Sequence, residues 1–189
     1  MKKDLKKIID DLMLAAQSYK ERGDFIAALN HFDKILKLDK NNKKVFNNIA
    51  NTYKEAKKFD EAIEYYHKSI NLDTSYLIPK INLSILYHDL GNLDKAEKLY
   101  KEIINLDKYN FAVYFNLARI NFDYFDQGKI DFVEKSISNE KLDNFNKASG
   151  YFLLAKYQQK QKNFDKEMLF LKKGHDHFCK SIHINTYQQ

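Results

Sequence analysis

The chain has 189 residues, 44% of them hydrophobic and 31% charged, a balance that excludes intrinsic disorder. Its formal net charge of +6 is carried almost wholly by lysine, with Arg22 and Arg119 the only arginines. Nearly as many carboxylates lie among those lysines, which excludes a dense basic surface for nucleic acid or an anionic membrane. One cysteine, Cys179, excludes an internal disulfide, and no run approaches the roughly 20 apolar residues of a membrane span, so a cytoplasmic protein is expected.

Residues 1–8 form a lead-in, and the apolar run that follows is interrupted by Asp10 and Asp11 before it reaches the length of a signal sequence. A phrase then recurs. "ERGDFIAALNHFDKILKLD" (21–39) is answered 34 residues later by "EAKKFDEAIEYYHKSINLD" (55–73), and after another 34 by "DLGNLDKAEKLYKEIINLD" (89–107). The period divides the chain into repeats 9–42, 43–76 and 77–110, two less regular ones at about 111–147 and 148–181, and a tail at 182–189.

Each of the first three repeats carries two amphipathic segments around a short break. In the second, Phe46, Ile49, Ala50 and Tyr53 form one helical stripe, and Phe59, Ala62, Ile63, Tyr66, Ser69 and Ile70 form another. Alanines beside aromatic residues predict a closely crossed antiparallel pair. Gly23 and Gly91 stand at the turn between paired helices, and five glycines and one proline (Pro79) leave room for few other tight turns.

The fourth repeat keeps Tyr114, Leu117 and Ala118 in its first helix, but Asn121 replaces the tyrosine. There "DYFDQGKIDFVEKSIS" fits the period only with about three extra residues. A shorter or tilted second helix, or a longer turn near 126–129, is expected. The fifth repeat recovers the pattern with Tyr151, Leu154, Ala155, Phe164 and Leu171, with Glu167 in place of the small residue.

This pattern resembles the tetratricopeptide repeat (TPR), W-x2-L-G-x2-Y followed by A-x3-F and a late proline. The resemblance is carried by Leu12, Ala15, Ala16, Tyr19, Ala28 and Phe32 in the first repeat. Phe46, Ile49, Ala50, Tyr53, Ala62 and Tyr66 carry it in the second, and Lys80, Leu83, Ser84, Tyr87, Ala96 and Tyr100 in the third. The late proline is missing, with Lys40, Thr74 and Lys108 in its place. The resemblance implies an all-α fold, a right-handed α-solenoid of about five helix-turn-helix units whose first helices line a concave groove. It further implies a non-catalytic protein–protein interaction scaffold that binds a peptide or helix in that groove.

The groove positions of the family fall here on Asn48, Asn82 and Asn116, each 34 residues from the next. A side-chain amide both donates and accepts, so such a row can pair with the backbone of an extended peptide; asparagine is also a common consensus residue there. The implied N-terminal end is polar, with Gln17, Lys20, Lys44, Asn47, Asn51 and Lys54. Farther along it becomes apolar, with Ile78, Ile81, Ile85, Phe115, Phe122 and Phe152, and His88, Arg119, Lys156 and Lys160 lie among them. Apolar residues on such a face mark a contact site for a partner, unless an extra helix or a second copy of the chain already fills it. Homo-oligomerisation therefore stays open. The two-carboxylate clamp of chaperone-binding family members is not expected. Met13, Gln17, Asn48, Ile78 and Asn82 occupy its positions, and only Asn48 fits.

No phosphate loop, nucleophile elbow or metalloprotease motif is present. In "GHDHFCKSIH" (174–183), His175, Cys179 and His183 share a helix face, but a fourth ligand is missing, so neither metal nor cofactor is expected. His175 and His177 occupy positions held by Ile or Leu in earlier repeats, which makes them a polar end-face for the terminal repeat. "FDKEMLFLKKGHDHFCKS" is similar to the last repeat before the catalytic domain in bacterial repeat-containing sulfotransferases. The alternative reading is therefore a docking or regulatory region of a larger enzyme.

Overall fold

The computed structural model describes residues 2–186, and the side chains of residues 4–182. No strand occurs among the described residues. The chain divides into two compact bodies, 1–92 and 93–189.

The N-terminal body holds α1 (Lys2–Glu21), α2 (Phe25–Leu38), α3 (Lys43–Glu55), α4 (Phe59–Leu72) and α5 (Leu77–Asp89). The helices pack as α1 on α2 and α3 on α4, with α2 meeting α3 and α4 meeting α5. Ala16, Ala28, Ala50 and Ala62 are fully buried where the paired helices cross. A side chain this small lets two backbones approach, and the larger Phe32, Ile35 and Tyr66 fill the space beside them. Burying rings of this size at about 25 cal/mol per Å² is the main favourable term in each pair.

Caps set where the helices begin. Asp24 Oδ1 accepts from the Ala27 N–H at 2.9 Å, and Asn42 Oδ1 from the Val45 N–H at 3.1 Å. Pro79 sits in the first turn of α5, where its missing N–H costs no helical bond. Aspartate does the work of the absent late proline. Asp73 accepts from the Ser75 N–H at 2.9 Å and Asp107 from the Tyr109 N–H at 3.1 Å, closing each turn between repeats through a side chain. Asp73 also pairs with Lys43, whose carbonyl accepts from Ser69 Oγ at 2.7 Å. That lysine, followed by Ser75, holds the Asp73 carboxyl well below the usual carboxylate range.

The turns inside the helix pairs share one backbone solution. Gly23 and Gly91 have φ of 78° and 75°, and Lys57 and Lys162 have φ of 61° and 59° at the matching positions. In each turn the left-handed residue donates back into the helix, as Gly91 does to the His88 carbonyl at 3.0 Å. The next N–H reaches one residue farther back, as Asn92 does to Tyr87 at 2.8 Å. Lysine in this conformation carries a steric cost that glycine does not.

The C-terminal body holds α6 (Leu93–Leu106), α7 (Phe111–Ile120), α8 (Gln127–Ser136), α9 (Asn144–Lys160) and α10 (Phe164–Thr186), with a 3-10 turn at Phe122–Tyr124. α7 stops at Asn121, whose side chain donates to Glu97 Oε1 at 2.9 Å instead of packing as a ring. Phe125, after the 3-10 turn, takes up the aromatic role and lies 5.8 Å from the Tyr114 ring. α8 then has 10 residues, against 14 in α2, α4 and α6. α9 packs on α7 and, far more extensively, on α10.

The last helix departs from the register that its sequence implies. Phe164 is 63% exposed and Leu171 38%, whereas of their counterparts in α4 Tyr66 is buried and Phe59 half-buried. α10 instead turns Phe170 and Gly174 inward against α9, and no described helix covers its other face in the way that α5 lies on α4.

Replacing Lys57 by glycine is expected to raise stability by up to about 1 kcal/mol, since relief of the left-handed cost outweighs the added chain entropy. Gly91→Ala, at the same backbone conformation, is expected to lower it by about 1 kcal/mol. Urea unfolding of the three proteins measures both, and equal stabilities would show that these turns carry no strain.

Candidate functional site

The candidate residues divide between the two bodies. Asn47, Asn48 and Asn51 lie on α3, and Ile78, Ile81, Asn82, Ile85 and His88 on α5. Phe115, Asn116 and Arg119 lie on α7, and Phe152 on α9.

On α3 and α5 the asparagines bind one another. Asn82 Nδ2 donates to Asn47 Oδ1 at 3.1 Å and to Asn51 Oδ1 at 3.3 Å. The buried Tyr66 hydroxyl donates to the same Asn51 oxygen at 2.6 Å. Asn47, expected at the groove surface, is only 4% exposed, so its amide serves the interior. The physical reason is its register: position 47 points between α3 and α5, where a polar atom must be paired. Asn48 is half-buried, and its amide contacts Met13 Sδ at 3.2 Å.

α5 is apolar around most of its circumference. Pro79, Leu83, Leu86 and Tyr87 are buried on one side. On the other, Ile78 is 50% exposed and Ile81, Ile85 and His88 are half-buried. Burying one stripe is enough to hold a surface helix, so a second apolar stripe is available for contact.

In the C-terminal body, Asn116 is half-buried and its amide forms no hydrogen bond among the described residues. Phe115 and Phe152 meet with ring centroids 5.9 Å apart. Together with Ala155, Lys156, Glu167 and Leu171 they line an open cavity of ≈ 330 Å³. Gly174 makes this arrangement possible, because a Cβ there would come within 2.7 Å of the Phe152 ring. Leu171 and Glu167 were not singled out as site residues from sequence, since their positions in a second helix read as packing positions. Nothing local in the sequence marks them as site residues.

Cations gather beside the cavity. Lys156 Nζ donates to the Ala118 carbonyl at 2.8 Å, and Lys160 Nζ lies 3.2 Å from Asp123 and 4.3 Å from the Phe122 ring centre. Burial, and then the nearby Lys160 and Arg119, hold the Lys156 ammonium below the usual lysine range. Arg119 is exposed and has no ion-pair partner among the described residues. Glu167 accepts from Gln159 Nε2 at 2.9 Å.

The candidate metal residues do not assemble a site in the described part of the chain. The His175 ring lies beside Cys179, with Sγ 3.7 Å from Nδ1, while the His183 side chain lies outside the described residues. His177 bonds to Asn144 Oδ1 at 2.9 Å and stacks on Tyr151 at 5.6 Å. Among the described residues no cluster of three His, Cys, Asp or Glu could hold a metal ion, and no helix is long and apolar enough to cross a membrane.

Replacing Asn82 by alanine leaves the buried Asn47 oxygen without its donor and is expected to cost about 1–3 kcal/mol. Asn116→Ala breaks no bond and is expected to stay within about 0.5 kcal/mol of the parent. Urea denaturation of the two variants checks this asymmetry, which equal losses would contradict.

No curated protein matches the sequence. Residues 43–108 match the tetratricopeptide repeat family model. Among solved structures, MamA is 22% identical, with 89% of this chain and 96% of that one covered at a TM-score of 0.62. BtubC (BKLC) from P. vanneervenii is 15% identical, with 94% and 82% covered at a TM-score of 0.69. The first TPR of Spaghetti (RPAP3), bound to HSP90 peptide SRMEEVD, is 23% identical, with 62% and 94% covered at a TM-score of 0.55. The recurring 34-residue phrase and the paired helices it forms give the chain the fold of these solved structures, and within it residues 43–108 match the tetratricopeptide repeat family.

Proposed function

We propose that this chain is a non-catalytic interaction module that binds a peptide or helix of another protein on the faces of its first-position helices. The observation that carries this reading is the second apolar stripe of α5, with Ile78 half exposed and Ile81 and Ile85 half-buried beside His88. A helix already anchored by Leu83, Leu86 and Tyr87 gains nothing from those isoleucines in isolation. A partner would remove them from water at about 25 cal/mol per Å². The unengaged Asn116 amide supports backbone recognition in the C-terminal body, whereas Asn47 and Asn82 act by holding α3 and α5 in register. The bound peptide in the RPAP3 structure supports peptide recognition by this fold. Its acidic sequence is not the ligand expected here, because Met13, Gln17, Asn48, Ile78 and Asn82 stand at the positions of the carboxylate clamp and only Asn48 fits.

Selection from a random peptide library against the whole chain tests the reading. Enriched peptides are expected to share an apolar motif and to lose about fivefold or more in affinity, ~1 kcal/mol, on Ile78→Lys or Ile81→Lys. The peptide SRMEEVD is expected not to compete with them. Absence of enrichment, or affinities indifferent to both variants, would sink the α5 face as a binding surface.

A further inference from the structure

α10 carries two stripes, and only one of them is used. Phe170, Gly174 and His177 turn toward α9. The other stripe is Phe164, Met168, Leu171, His175 and Phe178, spaced alternately four and three residues apart, which is the spacing of a helix-contacting seam. Met168 is 65% exposed and Phe178 39%, in addition to the exposed Phe164 and Leu171. The matching register in α4 is Phe59, Ile63, Tyr66 and Ile70; none of these is exposed, and α5 packs on that helix. The uncovered stripe therefore has the chemistry of a face that another helix covers.

Leu171 also belongs to the wall of the cavity beneath Phe115 and Phe152, so the stripe runs into a concave apolar anchor point. Lys156 from α9 lines that point with Glu167, and Arg119 from α7 and Lys160 from α9 lie near Lys156. Asp123 pairs with Lys160, and neither Arg119 nor Lys156 forms an ion pair among the described residues, so Glu167 is the one carboxylate set against both. We propose that α10 and the adjoining cavity form the docking surface for an amphipathic helix of a partner protein, whose apolar stripe covers Met168 and Leu171 and whose carboxylates meet Arg119 and Lys156.

A second copy of this chain fits the surface less well. Stacking head to tail would present α1, where Asp11, Ala15 and Ser18 stand at the positions held by the buried Val45, Ile49 and Thr52 in α3. That face sets Asp11 and Ser18 beside the exposed Ile8 and Leu14, so it offers the seam a broken apolar stripe. Pairing α10 with another α10 would bring the same cations against each other, a juxtaposition that costs affinity. An acidic helix avoids both penalties.

The inference goes beyond the reading of α5 and is tested separately from it. The probe is a fluorescent helical peptide of about 18 residues built from leucine, alanine and glutamate with leucines at i, i+3, i+4 and i+7, paired with a twin carrying lysine at every glutamate. Anisotropy titrations with the whole chain are expected to give about tenfold tighter binding of the glutamate peptide. Arg119→Glu should erase that preference. Met168→Glu, at an exposed site that leaves the core intact, should weaken binding about fivefold or more without changing helix content by circular dichroism. Ile81→Lys should leave the probe's affinity unchanged, and a loss there would reassign the binding to the α5 face. Equal affinity for the two peptides, or no binding of either, would overturn the proposal. So would a concentration-dependent doubling of mass in sedimentation that Met168→Glu abolishes, which would give the surface to a second copy.

Discussion

The close crossing of helices at alanine sets the terms for everything else in this chain. Ala16, Ala28, Ala50 and Ala62 have no accessible surface, and each admits a neighbouring backbone that a larger side chain would hold away. Once two helices are that near, the aromatic residues beside the alanines are buried without any need for a large globular core. No pair is self-sufficient, however. Val45 and Ile49, on the first helix of one pair, belong to the same apolar cluster as Phe32 and Ile35 of the pair before it. Within the N-terminal body, stability is thus shared between neighbouring pairs.

That dependence explains why the fold was legible in the sequence and why some details were not. A 34-residue recurrence of alanine and aromatic positions specifies helix pairs almost irrespective of what occupies the surface. Gly23 and Gly91 announce their turns, because glycine reaches positive φ without strain. Lys57 and Lys162 do not, since the tertiary fit of the repeats imposes a conformation that lysine's own preference opposes. The missing prolines were plain to read. Their replacement by Asp73 and Asp107, which close the turns through side chains, required the hydrogen bonds to be seen.

The candidate site was less legible, for reasons of register and range. Equal spacing placed Asn48, Asn82 and Asn116 in one row, but spacing carries no information about what a side chain meets. Asn82 spends its amide on Asn47 and Asn51, while Asn116 makes no bond among the described residues. The oxygen of the buried Asn47 is satisfied through the half-buried Asn82, so this part of the row acts on helix register before any partner arrives. The cavity at Phe115 and Phe152 was half visible. Its aromatic residues sit on first helices, where recognition is expected, but its far wall comes from Leu171 and Glu167 on a second helix.

The terminal helix brings these strands together. Inside the array, a second helix is buried by its partner on one side and by the following first helix on the other, as α4 is by α3 and α5. α10 retains the apolar residues such a double contact requires, yet only α9 packs against it extensively among the described residues. Its polar substitutions are confined to particular positions: His177 is satisfied by Asn144 and Tyr151, whereas Phe164, Met168 and Leu171 remain apolar and exposed. A helix adapted only to face water would have exchanged those three first, because their side chains stand exposed. Keeping them while softening the positions around them is what a face retained for contact requires. The uncompensated Arg119 beside that face restricts the contact to a surface that brings negative charge with it.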